Sequence, residues 1–155
     1  MHPFYEQFLD RLRLVHDEIG AAVEGLRLEA LDWTPGAGMN SLGVLVVHVA
    51  GSEKHWFGDI IAGQPSGRDR EAEFRSRGVE AAVLTKRLDE SLSYAREVVG
   101  RLGIDDLTAE RAASGYRGER TMSVGSCLLH ILRHAAEHAG HMQLTRQLWE
   151  AGHAP

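Results

Sequence analysis

The sequence predicts an all-α protein, a four-helix bundle with a long crossover between its second and third helices. Three observations carry this. Apolar residues recur at three- and four-residue spacing in long segments, clusters of glycine and proline separate those segments, and the last segment sets four histidines at helical spacing. With 155 residues and no Pro- or Ser-rich tract, the chain reads as one domain over residues 1–155.

The first helix is read from Phe4, Phe8, Leu12, Val15, Ile19, Ala22 and Leu26, a series that only a helix turns into one stripe. The chain then passes Leu31, Trp33 and Pro35 to Gly36 and Gly38, where regular structure is expected to stop and Trp33 to fold back over a bundle end. Asn40 or Ser41 can cap a second helix from Leu42 to about Ala62. Its β-branched run Val44–Val49 alone would pass for a buried strand. Continuation through Trp56, Ile60 and Ile61 without a turn signal makes it a helix.

Residues 63–78 hold Pro65, Gly67 and many charges, and read as an exposed connection. Its length exceeds the roughly two to eight residues that join antiparallel neighbours, so helices two and three are expected to run parallel. Helix three follows from Val79, Ala82, Leu84, Leu88, Leu92, Ala95, Val99 and Leu102, with Gly103 as its expected end. Between Ile104 and Met122 the polar chain, with Gly115 and Gly118 around Tyr116, reads as either a short hairpin or an irregular loop. Ser123 can cap a fourth helix from Val124 to about Ala151.

The net charge of −5 is spread along the chain without a basic stripe, which argues against nucleic acid as a partner. The longest apolar run, residues 42–51, is interrupted by His48 and falls short of the roughly 20 residues a bilayer span needs. No secretory or transit signal is visible, and a soluble, cytoplasmic protein is expected. The single cysteine, Cys127, excludes an internal disulfide and reads as a small buried hydrophobe. The apolar faces could also pair two chains into a homodimer.

The chemistry centres on helix four. Residues four apart advance about 6 Å and return to nearly the same face, so His134 and His138 can point at one ion. Two imidazoles leave a coordination sphere incomplete. His48, inside an apolar run on helix two, needs a partner for its polar atoms, and in an antiparallel arrangement it comes to the same bundle end. The expected ligands are therefore His48, His134 and His138, with room left for water or substrate as in a catalytic site. His55 and His141 are the candidate proton carriers, His130 lines the site, and Glu53 or Glu137 is a candidate to fix a ligand's tautomer through its second nitrogen. Imidazoles accept zinc, nickel, iron or manganese.

The segment from Asn40 and Ser41 through His48 to His55 and Trp56, followed by His134, His138, Gly140 and His141, resembles the DinB-like superfamily over nearly the whole chain. That resemblance implies a four-helix bundle with a metal triad from helices two and four, here His48, His134 and His138, zinc or nickel being the first metals to test. One branch has Glu where this chain has His134. The run Ala139-Gly140-His141 replaces the Arg-Gly-Gln of many members and resembles another branch. The resemblance also implies a transferase that activates a low-molecular-weight thiol, mycothiol or bacillithiol, for attack on a small electrophilic substrate. At the bundle end Trp33 and Trp56 are the candidate walls of its pocket. A hydrolase using bound water and a non-catalytic, stress-related metal-binding or dimerisation module are the rival readings.

Overall fold

The computed structural model describes residues 1–113, 118 and 120–152. Helix α1 spans Pro3–Val23, with His2 Nδ1 accepting from the Phe4 N–H and proline in the first turn, where its missing N–H costs nothing. Its buried face is Tyr5, Phe8, Leu9, Leu12, His16, Ile19, Ala22 and Val23. Phe4 lies outside that face, 40% exposed; Tyr5 takes the inner place and donates its hydroxyl to Gly103 O at 2.8 Å. A one-turn helix, α2 (Leu28–Asp32), precedes the glycines and buries Leu31.

Helix α3 (Leu42–His55) is capped by Ser41 Oγ, which accepts from the Val44 N–H. Every residue from Leu42 to Val49 is buried, so the β-branched run is a helix packed on all sides rather than a strand. The helix then widens into a π-helical segment, Trp56–Ala62, ended by Gly63 at φ +65°. Gly58 permits a close approach there. A Cβ on it would lie 3.0 Å from the Tyr94 hydroxyl and 3.1 Å from Gln64 O.

The crossover differs from expectation. It contains helix α4 (Arg70–Phe74), capped by Asp69, and α4 carries Glu73 to 6% exposure. Helix α5 (Ala81–Val99) follows and buries Leu84, Leu88, Ser91, Ala95, Val98 and Val99. It stops at Gly100, three residues before the glycine expected to end it, and Ala82 faces outward. A 3₁₀ turn (Ile104–Thr108) leads to an antiparallel hairpin, β1 (Glu110–Ala113) with β2 (Arg120–Ser123), in register Glu110 to Ser123. The hairpin alternative therefore holds; Gly115 and Tyr116 lie outside the described residues. Helix α6 runs from Val124 to Gly152, with Ser123 Oγ accepting from the Ser126 N–H.

Side-chain contacts give the directions. Phe8 meets Phe57 and His16 meets Glu53, so α1 and α3 are antiparallel. Glu53 meets Ser91 and Gly58 meets Tyr94, so α3 and α5 are parallel, as the long crossover requires. His48 packs beside His138 and Trp56 beside His130, so α3 and α6 are antiparallel. Cys127 is fully buried, and burial raises its thiol pKa, which keeps it protonated and inert. Among the described residues no helix is long and apolar enough to cross a membrane.

Candidate metal centre

His48 on α3 and His134 and His138 on α6 meet at the α3–α6 interface. One nitrogen from each lies within 4.8 Å of the other two. The ring centroids are 5.1 Å apart for His48–His134, 5.2 Å for His48–His138 and 4.5 Å for His134–His138. His134 Nε2 faces His138 Nε2 at 3.2 Å. Two bonds of about 2.05 Å meeting at a tetrahedral angle would set their nitrogens roughly 3.3 Å apart. The pair thus has the spacing of one edge of a zinc tetrahedron, and the three imidazoles could hold a metal ion.

The electrostatics favour neutral rings. Burial, followed by the neighbouring His138, His48, His130 and Arg68, pulls the His134 pKa down to about 3. Burial, with His48 and His141 beside it, lowers His138 to about 4 against a small opposing effect of Glu137. An uncharged imidazole keeps the lone pair a cation needs.

The carboxylate behind His48 is neither Glu53 nor Glu137. Glu53 faces α1 and α5, where it accepts from His16 and Ser91, and Glu137 pairs with Arg133 on the outer side of α6. Glu73 takes the place, its Oε2 lying 2.9 Å from His48 Nδ1. Arg68 grips the same carboxylate with Nε at 2.6 Å and Nη2 at 2.8 Å. Burial acts to raise the Glu73 pKa, but the hydrogen bonds from Arg68 and His48 and their charges outweigh it and hold the group below the usual carboxylate range. With Nδ1 committed to Glu73, His48 offers Nε2. Nothing in the spacing pointed to Glu73, 25 residues from His48 in a run that also holds Asp69 and Glu71.

His130 stacks on His134 at 5.9 Å and lies against Trp56 at 4.3 Å, so it forms a wall of the site. His141 is exposed at the rim, its ring 5.6 Å from that of His138. His55 is set apart from the three: its Nδ1 bonds Asp59 at 2.5 Å, and its ring edges Trp56 at 6.1 Å. Asp59 also accepts from the Ser66 N–H and hydroxyl; burial works to raise its pKa, and the Ser66 and His55 bonds overcome that and lower it. Trp33 packs on Trp149 at 5.6 Å.

The family described as Mycothiol-S-transferase matches residues 5–151. The chain belongs to this family, and with it to the DinB-like superfamily. Solved structures agree on the fold. A conserved protein from Enterococcus faecalis superposes with a TM-score of 0.79 at 12% identity, over 96% of this chain and 98% of that one. A DinB-like protein from Bacillus cereus gives 0.69 at 17% identity, over 95% and 92%. The mycothiol-dependent maleylpyruvate isomerase gives 0.63 at 18% identity, over 90% of this chain and 62% of that one. No curated protein sequence matches the chain.

In this member of the mycothiol S-transferase family, the depressed histidines make the metal-free fold acid-sensitive. His134 and His138 have folded pKa values of about 3 and 4 against an unfolded value of 6.5. The unfolded chain therefore binds more protons below pH 6.5, and the stability present above that pH is lost as pH falls towards 4. With chelator present, the melting temperature should drop by several degrees between pH 7 and pH 5. A flat profile over that range would show that the imidazoles are not held neutral.

Proposed function

We propose that the protein is a divalent-metal-dependent S-transferase that joins a low-molecular-weight thiol to a small electrophilic substrate, with His48, His134 and His138 as the metal ligands. The observation carrying this reading is the convergence of three imidazoles within 4.8 Å in a chain that matches the mycothiol S-transferase family over residues 5–151. A divalent ion held there would lower the pKa of a coordinated thiol and so supply a thiolate near neutral pH.

The chain's own residues supply the rest. Burial keeps His134 and His138 uncharged, and Glu73 turns His48 so that Nε2 faces its partners. In the reaction a sulfur–carbon bond forms, the electrophile's leaving group departs with the bonding pair, and the thiol proton passes to solvent. His141, exposed at the rim beside His138, is placed to carry that proton outward. His55, turned to Asp59, receives no step in this scheme. Trp56 and His130 form the wall against which an apolar electrophile would rest. Mycothiol is the first thiol to test because the family description names it; bacillithiol is the second.

Purified protein loaded with zinc or nickel should conjugate a bimane or an aryl halide only when a thiol is supplied, at a rate that chelation removes. Thiol-independent loss of the electrophile would overturn this reading in favour of hydrolysis by bound water. Absence of any bound ion after purification without a His-tag, with melting unchanged by zinc or nickel, would overturn it in favour of a non-catalytic module.

A further inference from the structure

We infer that Glu73 is the positioning residue of the metal centre, and that the crossover arm carrying it sets how tightly the centre binds its ion. The inference rests on the metal reading of His48, His134 and His138 given above. Four observations support it. The Glu73 carboxylate, 6% exposed, receives His48 Nδ1 in a buried bond and Arg68 Nε and Nη2 in part-buried ones. The next residue, Phe74, lays its ring 4.8 Å from that of His48, so α4 holds the imidazole by one face as well as by Nδ1.

The third observation is on the opposing helix. Gly51 lies one turn beyond His48, and a Cβ there would stand 2.1 Å from Glu73 Oε1 and 2.7 Å from its Cδ. That is closer than Cβ atoms approach, so a side chain at 51 would push the Glu73 carboxylate out of the position it holds beside His48. The fourth is what lies on the arm's other side. A hollow of about 820 Å³ separates the arm from α5, with Ser66, Arg68, Ala72 and Ser76 on its wall. The arm is thus not backed by close-packed core on that side, and the His48–Glu73–Arg68 cluster ties it to the bundle between the Ser66 bonds to Asp59 at one end and the Gly78 N–H bond to Asp32 at the other.

Two consequences follow from linkage. An arm that fixes the ring of a ligand raises the affinity for the ion, and an ion that fixes the ligand must, reciprocally, tighten the arm. Loss of such an outer hydrogen bond ordinarily weakens metal binding about 10–100-fold. The bond is made to Nδ1, away from the metal-facing nitrogen, so Glu73 acts through His48 and not by touching ion or substrate.

Zinc is the probe, its affinity measured by competition with a chromophoric chelator, and amide exchange of residues 68–74 is followed with and without zinc. Wild type, Glu73→Ala, the isosteric Glu73→Gln, Gly51→Ala and the control Glu71→Gln are compared, each first checked for cooperative melting. We expect a fall in affinity of about 10–100-fold for Glu73→Ala and Gly51→Ala, a smaller fall for Glu73→Gln, which keeps an acceptor, and none for Glu71→Gln. Zinc should slow exchange across the arm in wild type and leave it unaltered in Glu73→Ala. A merely structural Glu73 would change exchange equally with and without zinc. Equal zinc affinity in wild type and in whichever Glu73 variant folds would overturn the inference while leaving the metal reading intact. Failure of wild type itself to bind zinc would overturn the metal reading, and this inference with it.

Discussion

Replacing His134 with alanine should weaken zinc binding by roughly 100-fold or more. Apparent binding free energies of about 10–16 kcal/mol shared over four ligands give about 3 kcal/mol for one imidazole, and 1.4 kcal/mol is tenfold. His138→Ala and His48→Ala should behave alike, since the three nitrogens form one constellation within 4.8 Å. His55→Ala should bind zinc as wild type does, because its ring is tied to Asp59 outside that constellation. The substitution has a second, independent signature in the metal-free protein. Removing His134 takes away a buried group held at about 3, so the fall in melting temperature between pH 7 and pH 5 should become shallower. Chelator competition and calorimetry read the two effects separately. If His55→Ala abolished binding and His134→Ala did not, the ligand set proposed here would be wrong.

The four long helices were legible because each rests on a repeating pattern, and the parallel crossover because the connection 63–78 is too long for an antiparallel turn. In the stretch 42–49 the residues alone allowed strand or helix, and only the absence of a break before Ala62 decided it. Finer placement failed where a pattern has two near-equal solutions: Phe4 and Tyr5 both fit the stripe of α1, and the Tyr5 hydroxyl, able to reach Gly103 O, goes inside. The π-helical turn left no signal, since Trp56–Ala62 is as apolar as an ordinary helix. Helix α4 was hidden because a one-turn helix has no period to read, and its acids look like those of any solvated connection.

At the candidate metal centre the histidine spacing on α6 was informative because it is local, whereas the carboxylate partner was a question of tertiary contact. Part of that answer was nonetheless available. Five helical residues turn the chain by about 140°, so Glu53 could not share a face with His48, whereas Glu137, three residues after His134, stayed eligible on spacing and is engaged instead by Arg133. For His48 the search would then have moved to acids outside α3, those of the crossover among them. The same turn that removes Glu53 from the histidine triad aims it at α1 and α5, where sequence reading placed no polar cluster.

That cluster carries the largest expected effect on stability. Glu53 is 1% exposed, and its carboxyl receives His16 Nε2 at 2.9 and 3.1 Å and the Ser91 hydroxyl at 2.5 Å, tying α1, α3 and α5 together in the core. Glu53→Ala would leave the His16 ring and the Ser91 hydroxyl buried without their acceptor. His16 has little in reserve, because its Nδ1 already has no hydrogen-bond partner among the described residues. Removing one member of a buried pair costs about 3–5 kcal/mol, which for a chain of this size is a loss of roughly 10 °C in melting temperature. Replacing the cluster by apolar residues of similar volume, His16→Phe with Glu53→Leu and Ser91→Ala, should recover most of that loss, since no polar group is then left unpaired. Zinc affinity should be unchanged in the triple variant, as Glu53 and His48 face different helices. A Glu53→Ala protein that melts within 2 °C of wild type, a margin of about 1 kcal/mol, would show that water reaches the cluster and that it does not hold the three helices together.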